Sequence, residues 1–369
     1  MKRTIITALA TLGLAATAGI GIAIARTGPT ADPSPNPTAP RPAWPPQEEP
    51  EVPLGLFPIF WPDDNPYSPE KAELGRLLYF DTRLSSDSTV SCATCHEPSQ
   101  AFTDSAPFST GIGDQKGGRS APTVINRAFT TLQFWDGRAS SLEEQAIGPI
   151  ANPLEMTIET DVDKAHEAVV QRLAGISGYQ KRFADAFGTD EITLDHVAKA
   201  IATFERTVLS GNSPYDRYKA GDENALTESQ LRGMDVFFNK AACDACHLGV
   251  NFSDESFVNI GIGYDPDAGT FADIGRAEIT KDERDTGAFK TPTLREIEHT
   301  APYMHDGSIA TLEEVVEHYD KGGIPNPYID QRMEPLFLTA QDKADLVAFL
   351  RALSGEGWQH LEPPSEFPE

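Results

Sequence analysis

Cys92-Ala93-Thr94-Cys95-His96 and Cys243-Asp244-Ala245-Cys246-His247 decide how this chain is read. Both are C-x-x-C-H, the attachment signature of a c-type haem: two thiols add to the vinyl groups and the adjacent imidazole becomes the proximal iron ligand. Together they use all 4 cysteines of the 369-residue chain. Other readings of paired cysteines are weaker. A zinc ribbon keeps its two C-x-x-C pairs close in sequence, whereas Cys95 and Cys243 stand far apart. Disulfides would not require a histidine after each pair, and a thioredoxin-like site belongs to a βαβ pattern that is absent here.

Each motif sits in a repeated frame. Upstream of the first, Ser68-Pro69 opens a helix with a cap residue and Pro at its first position, running on to Phe80. Upstream of the second, Thr227 to Gln230 form a capping box that opens a helix through Gly233 to Phe238. Gly75 and Gly233 stand at the same distance before Phe80 and Phe238, which predicts a close helix crossing in each copy. Each half closes on an apolar-periodic helix ending in Leu-Ser-Gly, expected over 194–209 and 340–353. Long helical segments, long loops and little β-alternation point to a mainly α fold. The fold class is two cytochrome-c-like haem domains related by an internal repeat, with long loops between their helices.

The domain plan follows. Lys2 and Arg3, the uncharged run from Thr4 to Ala25 and its closing Ala23-Ile24-Ala25 describe a secretory signal over 1–25. The run is also long enough to span a bilayer, so an uncleaved membrane anchor is the alternative. Either way the chain is expected to be exported and periplasmic. A Pro-rich linker is expected over 26–53, haem c domains over 54–212 and 213–357, and a disordered acidic tail over 358–369. The formal charge of −26 argues against a nucleic-acid partner and favours basic ones.

Residues 119–149 align with 289–319 without a gap, at a constant offset of 170 positions. The identities gather in the Asp-Gly…Leu-Glu-Glu frame of 136–144 and 306–314, which makes common ancestry of the halves the better explanation. After the second copy, Thr311 and Glu314 cap a helix whose Leu312, Val315, Val316 and Tyr319 share one apolar face. At roughly 100° per residue Tyr319 lies about 10° from the centre of that face, and His318 about 110° away. If this helix covers the second haem, Tyr319 is the side chain aimed at the iron. A buried Tyr bonded to a carbonyl is the alternative.

In the first half the same position is Pro149, which offers no donor atom. After His96 no His or Met occurs before Met156, so the first haem is expected to be five-coordinate, with an open face. Peroxide chemistry on an open face needs a group that moves a proton between two oxygens. Glu155 is the candidate acid–base, Gln145 a hydrogen-bond donor, and Trp135 a relay between the haems or else a packed core Trp.

These residues carry a resemblance. Cys92 to His96 followed by Glu-Pro-Ser-Gln-Ala-Phe-Thr-Asp, then Gln133 to Arg138, Glu143 to Ala146, Gly148-Pro149, Asn152-Pro153, Glu155-Met156 and Thr300 to Gly307 resemble the bacterial di-haem cytochrome c peroxidases. The likeness covers about residues 57 to 355. It implies a periplasmic enzyme of two haem c domains that reduces hydrogen peroxide. Electrons would enter at the C-terminal haem and pass Trp135 to the N-terminal, peroxidatic haem, with Gln145 and Glu155 on the distal side. Cys92, Cys95, Cys243 and Cys246 would bind the haems, with His96, His247 and Tyr319 on the irons. The resemblance also implies a calcium ion held partly by backbone at Thr300 and Pro302, although Ser120 stands where its Asn ligand is expected.

The loop Ser109 to Asp114 lacks the distal His of ordinary peroxidases, and Tyr319 replaces their Met ligand. Both departures are similar to the MauG branch, which uses peroxide to oxidise tryptophans of a partner protein. Three functions remain: a peroxidase fed by a small cytochrome c or cupredoxin, a MauG-like oxidase of a protein substrate, and an electron-transfer cytochrome without catalysis.

Overall fold

The computed structural model describes Pro45 and residues 48–369. The signal segment expected over 1–25 and most of the linker over 26–53 lie outside the described residues. Among the described residues no helix is long and apolar enough to cross a membrane.

The first helix runs Pro69–Phe80 because Ser68 Oγ accepts from the Lys71 N–H at 3.2 Å and Pro69 supplies a preset φ. It buries Leu74, Leu77, Leu78, Tyr79 and Phe80 and packs on the helix Leu194–Arg206. A Cβ on Gly75 would overlap the Ala200 carbonyl oxygen, so only glycine lets the two backbones meet. The second half repeats the arrangement. Thr227 and Gln230 form the capping box of Glu228–Asp235, and Gly233 lies against the Asp345 carbonyl of the helix Ala340–Arg351. Gly233→Ala is therefore expected to cost ~1–3 kcal/mol by overpacking, read as a lower melting temperature. An unchanged melting temperature would refute the crossing.

Two helix ends fall short of the periodicity. The apolar pattern predicted 194–209 and 340–353, but the α-helices stop at Arg206 and Arg351. Beyond them the chain tightens into i→i+3 turns, with Val208 N–H on Glu205 O at 3.1 Å and Leu353 N–H on Leu350 O at 3.2 Å. The apolar side chains stay buried through the turn, which is why the pattern outlasts the helix.

Strand is sparse among the described residues. Phe257–Val258 pairs antiparallel with Phe289–Lys290, and Tyr264–Asp265 with Thr270–Phe271. Two separate cores do the packing. One gathers Leu78, Tyr79, Phe102, Phe183 and Phe204; the other gathers Phe237, Phe252, Val316, Phe349 and Leu353.

The repeat is visible in the backbone. Gly137 and Gly307 both take positive φ, +67° and +61°, directly after the two Asp residues. The bridges Gln133–Ala139 and Tyr303–Ile309 close the same turn in each half. Thr123 Oγ1 donates to Ala101 O, and Thr293 Oγ1 to Asn251 O, both at 2.7 Å.

The tail differs from its expectation. Trp358 and Leu361 are buried in the first core, Arg76 Nη1 donates to Glu362 O at 3.0 Å, and Gly178 N–H donates to Glu369 O at 2.7 Å. Acidic composition masked two apolar anchors that return the C-terminus to the first half.

Candidate active site

The four cysteines form no disulfide. Cys92–Cys95 is a single helical turn, and the His96 N–H bonds Cys92 O at 2.9 Å. In the second motif the His247 N–H bonds Cys243 O at the same 2.9 Å. His96 Nδ1 lies 3.3 Å from Phe102 O and His247 Nδ1 2.9 Å from Phe252 O. A carbonyl only accepts, so each Nδ1 carries the proton and each Nε2 keeps its lone pair. Burial holds both imidazoles below the ordinary His value, hence neutral. Two thiols, one oriented neutral imidazole and an apolar-lined cavity in each half are the donor set that a c-type haem requires.

The first cavity is lined by Cys95 and His96 together with Gln145, Pro149, Asn152 and Glu155. Ser141 Oγ caps the short helix Leu142–Ile147 that carries Gln145. At Pro149 the chain turns into a 3-10 segment, Pro149–Ala151. Asn152 Nδ2 then donates to Glu155 Oε1 at 2.7 Å. Burial raises the Glu155 carboxyl above its ordinary value, against the opposing pull of Arg138 and Asn152. The loop that lacks a distal His is pinned beside it. Ile112 N–H donates to Glu155 O at 3.0 Å, and a Cβ on Gly111 would overlap the Leu154 carbonyl.

The second cavity is lined by Cys243, Cys246, His247, Met304, His305, Val315, Val316 and Tyr319. Tyr319 is brought into this wall while His318 turns away, its Nε2 3.0 Å from Ile260 O. Among the described residues the Tyr319 hydroxyl makes no hydrogen bond, and burial pushes its phenol up. His305 stacks on Phe289 with ring centroids 3.6 Å apart, and burial pulls its pKa down to about 4.

Trp135 lines both cavities. Its Nε1 donates to Ser120 O at 2.9 Å, and its carbonyl accepts from the Lys290 N–H at 2.8 Å. The Ser120 N–H in turn donates to His305 O at 2.7 Å. Arg119 adds ion pairs to Asp136 at 2.6 Å and Asp273 at 2.7 Å. The Trp is thereby tied to both halves. Thr300 and Pro302 border the second cavity. Among the described residues no three His, Cys, Asp or Glu side chains gather around a metal position.

Three residues escaped the sequence reading. Arg127 and Lys290 line both cavities, and Glu205 lines the first. Glu205 is 5% exposed with Oε2 unpartnered, and burial pushes its carboxyl up to about 8. Counted from the two glycine contacts, its counterpart is Leu350, which lines the second cavity. The signal was present: Glu205 interrupts the apolar face of Ile201 and Val208.

Residues 69–224 match the family described as di-haem cytochrome c peroxidase. Methylamine utilization protein MauG of Methylorubrum extorquens is 43% identical over 298 residues, covering 80% of this chain and 81% of that protein. Cytochrome c551 peroxidase of Nitrosomonas europaea is 38% identical over 291 residues, covering 79% and 82%. The crystal structure of a MauG-like protein associated with microbial copper homeostasis matches with a TM-score of 0.77 at 37% identity, over 84% of this chain and 96% of that one. Relatives of both kinds lie at comparable distance, so the likeness reaches the family rather than one role within it. The chain belongs to the di-haem cytochrome c peroxidase family.

Proposed function

We propose that the chain is a periplasmic di-haem peroxidase that reduces hydrogen peroxide at an open first haem, with electrons supplied from a closed second haem. The observation that carries this reading is the swap of Pro149 for Tyr319 at the same repeat position, each in the wall of its own cavity. Residues 54–212 would hold the peroxidatic haem through Cys92, Cys95 and His96. Residues 213–357 would hold the electron-transfer haem through Cys243, Cys246, His247 and Tyr319, and 1–25 would direct export.

When bound, the haem supplies the redox chemistry that divides the peroxide O–O bond. The protein's share is proton and position. Glu155 takes a proton from one peroxide oxygen and returns it to the other. Asn152 holds the carboxylate in place at 2.7 Å, and Gln145 offers an amide donor from the neighbouring turn. Pro149 leaves room that a side-chain ligand would fill. Trp135, bonded into both halves, is the relay. The acidic chain, at −26, suits a small basic redox donor such as a cytochrome c or cupredoxin.

A MauG-like role, oxidation of tryptophan or another side chain on a partner protein, is the second reading. The Tyr at 319 and the Gly111–Gly113 loop without a distal His favour it. An electron carrier without catalysis is disfavoured by Pro149.

The test is EPR and optical spectroscopy of the ferric protein before and after one equivalent of peroxide. One high-spin and one low-spin haem are expected, with immediate reaction and no prior reduction. Two low-spin irons would mean an electron carrier, and activity only after one-electron reduction would refute the open first site. Oxidation of a reduced small cytochrome on peroxide addition supports the first reading. A mass gain on a partner protein's tryptophan supports the second.

A further inference from the structure

Two cations are buried in the wall shared by the two cavities. Arg127 and Lys290 are 9% and 5% exposed, and each lines both cavities. The other cations of these walls are matched by acids: Arg119 by Asp136 and Asp273, Arg138 by Asp136, and Arg332 by Asp330. Among the described residues Arg127 forms no ion pair, and Lys290 forms one long one, to Glu255. Arg127 Nε donates to Thr123 O at 2.6 Å, and among the described residues its remaining guanidinium nitrogens meet no acceptor. Among the described residues Lys290 Nζ reaches only Glu255 Oε1, at 3.5 Å. The other oxygen of that carboxylate accepts from Thr131 N–H at 2.8 Å and Thr131 Oγ1 at 2.6 Å.

Glu205 does not close the balance. It forms no ion pair with either cation among the described residues, and its raised pKa keeps it protonated near neutral pH. Burial, reinforced at Lys290 by the charge of Arg127 and opposed by Glu255, lowers Lys290 to about 8, and burial lowers Arg127 to about 10 against the pull of Glu255 and Glu205. Burying a charge without an anion is strongly unfavourable. The site therefore asks for carboxylate or another oxyanion from each side of the wall.

We propose that Arg127 and Lys290 form a shared bridge that binds a propionate carboxylate from each haem. This rests on the two-haem reading above. A haem is apolar except for its propionates, and a guanidinium fork beside an ammonium pairs with carboxylates through charge-assisted hydrogen bonds. Lys290 also donates its backbone N–H to Trp135 O at 2.8 Å. The residue that would hold the cofactor edges is thus joined through its main chain to the main chain of the relay residue. A cation common to both cavities favours the reduced state of both irons, so its removal is felt at both.

The experiment is a spectroelectrochemical titration of the holoenzyme carrying Lys290→Met, with haem content measured alongside. Two haems per chain in the native protein are the precondition; fewer would defeat the two-haem reading rather than the bridge. With haem content retained, Lys290→Met is expected to lower both midpoint potentials. Lys290→Arg, which keeps the charge, should leave them near native, as should Lys281→Met at an exposed pair with Glu278. Unchanged potentials in Lys290→Met overturn the bridge, and a shift at one haem alone overturns its shared nature. If Lys290→Met loads haem incompletely, Arg127→Lys is read by resonance Raman of the propionate bending bands. Shifted bands at both haems support the bridge, and native bands overturn it.

Discussion

Tyr319→Phe is expected to abolish the low-spin ferric signal assigned to the second haem and replace it with a high-spin one. The substitution removes one oxygen and keeps the ring that packs near Val315 and Val316. The lost hydroxyl makes no hydrogen bond among the described residues, so no protein partner is orphaned and the fold should be retained. A large spectral change on a nearly unchanged fold separates ligation from packing. No replacement ligand is well placed. His318 is bonded to Ile260 O at 3.0 Å, and His305 is held against Phe289 at 3.6 Å. Met304, in the wall of the same cavity, is the remaining donor. An unchanged low-spin EPR signal would sink the Tyr319 assignment and move it to Met304.

The second large effect is expected at Glu155. Glu155→Gln keeps the shape of the side chain but cannot accept and return a proton. Single-turnover reaction with peroxide, followed by stopped flow, should slow by about 10²–10⁴-fold. The pH dependence has a definite sign. Burial raises the native carboxyl above its ordinary value, so the proton-accepting form accumulates only above that raised value. The native rate should rise with pH through it, and the Gln variant should be flat over the same range. A native-like rate in Glu155→Gln would remove the proton-transfer role. A slow but still pH-dependent variant would assign the titration to another group.

Much of the site was legible because it is local. C-x-x-C-H names its haem and its proximal ligand within five residues, and the carbonyls that orient His96 and His247 lie a few residues on, at Phe102 and Phe252. Helical geometry alone pointed to Tyr319 over His318 for the second iron; Tyr319 lines the second cavity, and His318 Nε2 lies 3.0 Å from Ile260 O. The helix crossings were legible as paired glycines. The tail was misread because composition weighs acids over 358–369 and overlooks Trp358 and Leu361 as anchors.

What the chain's order of residues determined alone is therefore the pair of haem sites, their repeated frame, and the asymmetry between Pro149 and Tyr319. These depend on spacing along one segment, where covalent geometry and helical periodicity leave few alternatives. Only the tertiary structure decided what stands between the cavities. Trp135, Ser120, His305, Arg127 and Lys290 come from segments well over a hundred residues apart at their extremes, joined by single hydrogen bonds such as Lys290 N–H to Trp135 O. No periodicity along the chain records such contacts. A buried Lys or Arg looks in sequence like any surface cation until folding shows which acids reach it and which do not.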